Sequence, residues 1–126
     1  MSRSPSSSTK YVLVVVTAKG CGSCAKFKND WPNIKPYLEG KVRIVEIEQP
    51  TISVEYSSRY PRNLKDYCNW FPTLVLFRAS DWEAKNLAWG DVFNGIVTGG
   101  KAYLKQGSRV TLNANNLVNW LNSYGL

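Results

Sequence analysis

The chain has 126 residues and no histidine, and that absence removes whole classes of chemistry. Ser-His and Cys-His nucleophilic catalysis, imidazole acid–base steps and histidine-ligated zinc are excluded. Cysteine is scarce and odd in number, at three, which suits a disulfide-stapled secreted module poorly and suits a reactive pair plus one spare thiol. Long apolar runs are missing too, since none nears the roughly 18 residues that a membrane-spanning helix requires. The run Tyr11–Val16 is too short and too β-branched for a signal peptide. A soluble, cytoplasmic protein with no membrane association is the expectation. The net charge of +7 is not concentrated in any basic block, so it reads as solvation and a preference for acidic partners, with no nucleic-acid site. Neither an internal repeat nor an interdomain linker is present. The expected organisation is a disordered polar tail over 1–10 and a single domain over 11–126.

What is present is a pair of cysteines in a telling place. Cys21-Gly22-Ser23-Cys24 directly follows the apolar run Tyr11-Val12-Leu13-Val14-Val15-Val16. Cysteines three apart share one face of a helical turn, so their sulfurs come within reach of a disulfide. A helix beginning at the first cysteine would favour its thiolate through unpaired amides and the positive end of the dipole. Cys21 is then the expected nucleophile and Cys24 the resolving thiol.

Around this pair the pattern predicts an ordered succession of elements. Tyr11–Thr17 reads as a strand buried on both faces. Ala25, Phe27, Trp31, Ile34 and Leu38 form the apolar stripe of a helix that Pro32 and Pro36 should kink or split and Gly40 should end. Val42–Glu48 alternates as a second strand, giving a βαβ unit with parallel strands. Pro61 can open a short helix over 62–68, and Phe71–Phe77 is a strong strand with Pro72 at its mouth. Ser80-Asp81-Trp82-Glu83 has the form of a capping box, predicting a helix from Asp81 to about Trp89 ended by Gly90. The glycines at 95, 99 and 100 suggest loops or a hairpin, with Ala102–Leu104 and Arg109–Leu112 as strand pieces. Asn113 caps a final helix with Leu117, Val118, Leu121 and Tyr124 on its apolar side, ending at Gly125.

A Cys-x-x-Cys at a strand-to-helix turn, followed by Phe71-Pro72-Thr73 opening a later strand and by a terminal helix, resembles the thioredoxin family over roughly residues 10 to 126. The resemblance implies an α/β, thioredoxin-like fold: a central mixed β-sheet flanked by helices, with insertions at about 51–70 and 79–100. It implies a cis Phe71–Pro72 bond lying against the cysteines, although an ordinary trans proline at a strand edge remains the alternative. Catalysis would rest on Cys21, Cys24 and Pro72. Gly20, Gly22, Ser23, Trp70 and Phe71 would meet the substrate, with Phe71 offering its backbone and Trp70 with Phe71 forming either an apolar lip or part of the core. The implied activity is thiol–disulfide exchange with protein disulfides, linked to an upstream dithiol reductase or oxidase. The redox-active Cys21–Cys24 pair is the sole cofactor, no metal is involved, and the protein is a monomer.

Several positions depart from the family. Gly20 replaces the usual tryptophan, so the surface beside the cysteines differs, and Ser23 replaces proline, pointing to a potential more oxidising than that of thioredoxin. The family's buried carboxylate falls at Val15. Glu46 on the next strand is a candidate replacement as proton acceptor, or else an outward residue of an alternating strand. Lys19 and Lys26 either support the thiolate or are solvated surface lysines. Cys68 is either a regulatory thiol or a buried spare. Two other functional classes remain: a non-catalytic adaptor that binds partners through the two insertions, and a metal or iron–sulfur site needing Cys68 or a second subunit.

Overall fold

A computed structural model describes residues 10–50 and 59–126. Most of the polar tail, 1–9, and the stretch 51–58 of the first expected insertion lie outside the described residues. The protein is mixed α/β, with a four-stranded sheet of strand order β2-β1-β3-β4. Its strands are β1 (Tyr11–Ala18), β2 (Arg43–Gln49), β3 (Thr73–Arg78) and β4 (Gly90–Val92), and a hairpin of β5 (Gly95–Thr98) and β6 (Lys101–Leu104) forms a second sheet. Helices α1 (Gly22–Glu39), α2 (Ala79–Glu83) and α3 (Ala114–Asn122), with a 3₁₀ segment at Arg62–Tyr67, complete the described chain. Among the described residues no helix is long and apolar enough to cross a membrane.

The apolar run of β1 explains the layers. Val12, Leu13, Val14, Val15 and Val16 are all at most 2% exposed, so both faces of the strand need cover. Leu13 and Val15 face α1 and α3, packing with Phe27, Trp31, Ile34, Leu38, Leu117 and Leu121. Val12, Val14 and Val16 face the other way, toward Leu64, Tyr67, Cys68, Trp82 and Ala102. β2 lies parallel to β1 and β3 antiparallel to it. With α1 between β1 and β2, the expected βαβ unit is present. Each fully buried aliphatic side chain contributes about 1.5–3 kcal/mol, so this strand, like β3 with Leu74, Val75, Leu76 and Phe77, is a large source of stability.

Helix α1 departs from expectation by running unbroken across Pro32 and Pro36. Both prolines are exposed and stand four apart, on the outer side of the helix. The carbonyls they leave unpaired face water, and the buried stripe through Trp31, Ile34 and Leu38 holds the helix together. β3 begins at Thr73, two residues later than predicted.

The region after β3 differs most. The capping box at Ser80 is not used; α2 starts at Ala79, whose amide donates to Lys10 O at 2.8 Å. It stops after five residues because Lys85 adopts a left-handed conformation (φ 57°). There the Asn86 amide donates to Asp81 O and the Lys85 amide to Trp82 O, a Schellman closure. Residues 85–89 are therefore not helical, and Gly90 opens a strand, β4, that the sequence pattern did not indicate.

The glycines at 99 and 100 form a two-residue hairpin turn, both with positive φ (61° and 78°), between the paired Thr98 and Lys101, as a primed turn requires. Arg109–Leu112 is not a strand. Val110 instead pairs its amide and carbonyl with the side chain of Asn94, at 2.9 and 2.7 Å, so a carboxamide stands where a partner strand would. Asn113 caps α3 by accepting from the Asn116 amide at 2.8 Å. Regular helix ends at Asn122, and the last turn closes through Gly125 (φ 78°), with the Leu126 amide reaching Leu121 O.

Gly90 is required by its neighbours. A Cβ there would sit 2.6 Å from Phe77 Cε1 and 2.8 Å from Tyr67 Cε1, two rings already in edge contact at 5.0 Å. Gly90→Ala is expected to destabilise the protein by about 1–3 kcal/mol through overpacking, read as a lowered urea midpoint. An unchanged midpoint would show that these rings yield without cost.

Candidate active site

The end of β1, the start of α1 and the turn before β3 meet at one edge of the sheet. The Lys19 amide donates to Gln49 O at 3.0 Å, tying the β1–α1 turn to the end of β2. Gly20 then takes φ 79°, with open space around it. Its role is conformational: the turn needs a left-handed residue, which glycine supplies without strain. Cys21 is extended (φ −98°, ψ 116°) and is the N-cap of α1.

The Cys24 amide donates to Cys21 Sγ at 3.2 Å, so the Cys21 sulfur occupies the place of a capping oxygen. Cys21 Sγ in turn lies 3.7 Å from Phe71 O and donates to it. Cys21 is half-buried, Gly22 and Ser23 are exposed, and Cys24 is 1% exposed. All three cysteines are free thiols. The arrangement is asymmetric: one sulfur is accessible from solvent and the other sits behind it.

The Phe71–Pro72 bond is cis. Thr73 is fully buried and its hydroxyl donates to Trp70 O, closing the turn that presents Phe71 O to Cys21. The rings of Trp70 and Phe71 pack against the Val16 and Val75 side of the core while both residues stay half-exposed. Trp70 also backs onto the hairpin, because a Cβ on Gly95 would meet its ring at 2.8 Å. Asn69 donates to Ala102 O on the same hairpin. Thr73 stood in the sequence as part of a three-residue pattern, but the contact its hydroxyl makes had no signal there.

Burial, followed by the hydrogen bond with Cys21, raises the Cys24 thiol to about 11 from its usual 9.0; contact with the Ala18 backbone and the charge of Lys28 act in the opposite direction. Cys24 is therefore a protonated thiol at neutral pH. Glu46 is engaged elsewhere: Oε1 accepts from Trp31 Nε1 at 2.9 Å and Oε2 from Lys35 Nζ at 2.6 Å. It is not among the groups acting on Cys24. Val15 is 2% exposed, part of the core against Phe27 and Trp31. Lys19 and Lys26 are exposed, and neither is among the charges on Cys24. Lys28, which pairs with Glu48, is the least of the influences on that thiol, and residue-by-residue reading passed it over.

Cys68 lies on the opposite face of the sheet, 6% exposed, within the Leu64–Tyr67–Trp82 cluster. Burial alone pushes its thiol up to about 12. Among the described residues no three His, Cys, Asp or Glu side chains converge to hold a metal ion. Neither protein-family models nor curated proteins yield a match to this chain.

The raised Cys68 value has a stability consequence of definite sign. The folded thiol holds its proton more tightly than the unfolded one, so its contribution is complete below pH 9 and is lost as pH rises from about 9 to 12. In that window it steepens the fall in stability by about 1.4 kcal/mol per pH unit. Cys68→Ala is expected to flatten the alkaline limb of the urea midpoint against pH by that amount. Parallel curves for wild type and variant would contradict a buried protonated thiol. Glu46→Gln is expected to leave the alkylation profile of Cys24 with iodoacetamide unchanged, and a shifted profile would return Glu46 to the site.

Proposed function

We propose that this chain is a thiol–disulfide oxidoreductase of thioredoxin-like fold that exchanges disulfides with proteins through Cys21 and Cys24. One observation carries the reading: a half-exposed sulfur at the N-cap of α1, receiving the Cys24 amide at 3.2 Å and placed 3.7 Å from Phe71 O, with a buried second thiol one turn on. Dithiol exchange asks for this division of labour, because the attacking sulfur must be reached from outside and the resolving one must wait behind it. The mixed sheet with β1 and β3 at its centre and the cis bond before Pro72 also support it.

In the proposed cycle the Cys21 thiolate attacks a substrate disulfide, forming a Cys21–substrate disulfide and releasing the first substrate thiolate. Cys24 loses its proton and attacks the Cys21 sulfur. The Cys21–Cys24 disulfide forms, the second substrate sulfur departs, and two electrons have passed to the substrate. The reverse sequence oxidises a dithiol, and an upstream dithiol or disulfide partner resets the pair.

A second reading, a partner-binding adaptor, draws on the hairpin. Ile96 and Tyr103 face each other across β5 and β6 and are each 52% exposed. It predicts no dependence on either cysteine.

Insulin reduction by dithiothreitol is expected to be accelerated by wild type and by at least tenfold less with Cys21→Ser. Equal turnover by the two would overturn the enzymatic reading. Cys24→Ser is expected to accumulate covalent adducts through Cys21 from a lysate, visible on non-reducing gels and lost on reduction, and a lane free of reducible adducts would count against exchange with proteins.

A further inference from the structure

Cys21 donates to a carbonyl that it must give up in order to react. Its Sγ lies 3.7 Å from Phe71 O, and once the sulfur has lost its proton to attack a disulfide, that donor is gone. Pro72 brings no amide of its own to the junction, so Phe71 O is then an acceptor beside the reacting sulfur, on a residue that is half-exposed. A substrate chain joined to Cys21 can offer it a backbone N–H. How well it does so depends on where the turn 68–72 holds the carbonyl.

That turn is held twice. Thr73 closes it locally, its hydroxyl donating to Trp70 O, and a second hold comes from the β5–β6 hairpin. Thr98 and Lys101 flank the two-residue turn at Gly99-Gly100, the place of a hydrogen-bonded pair, so the next pair, Val97 and Ala102, turns its amides and carbonyls away from the partner strand. Ala102 O is therefore open to the side, and Asn69 Nδ2 donates to it. One residue on, the Trp70 ring lies so close to Gly95 of β5 that a Cβ there would come within 2.8 Å of it. Ala102 is fully buried, and Val97 and Trp70 pack against the same cluster. A polar tie and an apolar contact thus fix two successive residues, Asn69 and Trp70, immediately before Phe71.

Building on the oxidoreductase reading, we infer that Asn69 is a positioning residue: by tying the turn to the β5–β6 hairpin it holds Phe71 O opposite Cys21, and so favours disulfides carried on an extended peptide over small ones. It touches neither substrate nor sulfur. The step it serves is ordinary exchange: the Cys21 thiolate attacks the peptide sulfur, the Cys21–peptide bond forms, the original disulfide breaks, and the leaving thiolate takes up a proton. The kind of partner follows from the acceptor. A cysteine in an unfolded or flexible segment has a neighbouring N–H to give, whereas one inside regular secondary structure has that amide already engaged.

The test uses the full chain with Cys24→Ser and Cys68→Ala, which leave Cys21 as its one thiol. Two disulfides with the same leaving group are compared: a short blocked peptide whose central cysteine carries a 2-thiopyridyl group, and 2-hydroxyethyl 2-pyridyl disulfide, which has no backbone. Release of coloured thiopyridone gives a second-order rate constant for each. For Asn69→Ala the peptide rate is expected to fall about fivefold, the size of one backbone hydrogen bond, while the hydroxyethyl rate stays at that of the parent chain. Asn69→Asp, which keeps the shape of the side chain and loses the donor, should match it. The same peptide N-methylated at the amides beside its cysteine should react equally with parent and variants. Asn69 is exposed, so both variants are expected to fold, with thermal melts as the check. Peptide rates equal to the parent's in both variants would overturn the inference. So would a loss shared by the hydroxyethyl disulfide or kept by the N-methylated peptide, which marks a change at Cys21 itself or in the fold. If the parent chain releases no thiopyridone from either disulfide, the exchange reading fails; a parent that reacts with both while Asn69 is indifferent sinks the inference alone.

Discussion

Burial of β1 on both faces is the constraint on which the rest of this protein depends. A strand reading Val12-Leu13-Val14-Val15-Val16 cannot sit at a surface, so it must be central in the sheet and must recruit cover on each side. α1 and α3 cover the Leu13 and Val15 side; the 3₁₀ segment, α2 and the hairpin cover the Val12, Val14 and Val16 side. The position of the cysteines follows. Cys21 begins the helix that must turn back over β1, so its sulfur stands at the edge where the central strand ends.

A second consequence is the contrast between the two cysteines. A residue at the N-cap is open to solvent and to the amides of the first turn, whereas a residue three positions later points down toward the sheet. Accessibility and burial are thus divided between Cys21 and Cys24 by the geometry of a single helical turn. The ion pairs Lys28–Glu48 and Lys35–Glu46 join α1 to β2, and surface pairs of this kind add little to stability, at about 0–1 kcal/mol each.

The opposite face is organised by aromatic packing. Tyr67, Phe77 and Trp82 stack or meet edge-on at 5.0–6.0 Å, and Gly90 passes β4 close enough to these rings that no side chain fits. At the far side of β4, the Asp91 carboxylate accepts from Trp120 Nε1 and Tyr124 OH, fastening α3 to the sheet edge. Tyr11, Trp89 and Tyr124 form a cluster with centroids 5.7–6.1 Å apart. The Trp70–Gly95 and Asn69–Ala102 contacts then tie the hairpin to the turn that carries Phe71.

Much of this was legible in the amino-acid order. The doubly buried strand, the parallel pair around α1, the turn before Thr73, the Gly99-Gly100 hairpin and the Asn113 cap all depend on local pattern and turn chemistry, which neighbouring residues settle among themselves. So does the placing of Cys21 and Cys24 at a strand-to-helix turn. What tertiary structure decided was everything that depends on contacts between distant residues. Pro32 and Pro36 failed to split α1 because packing kept both on its solvent side. Ser80's capping box lost to a closure at Lys85 and to the attachment of Ala79 to Lys10. β4 exists because β3 needed an antiparallel neighbour, and Val110 found a carboxamide in place of a strand. Glu46 was drawn to Trp31 and Lys35, and Lys28 to Glu48. Sequence alone placed the two cysteines at the head of a helix; only the fold chose which charged side chains pair, Lys28 with Glu48 and Lys35 with Glu46, because an electrostatic partner is selected by distance in space and not by distance along the chain.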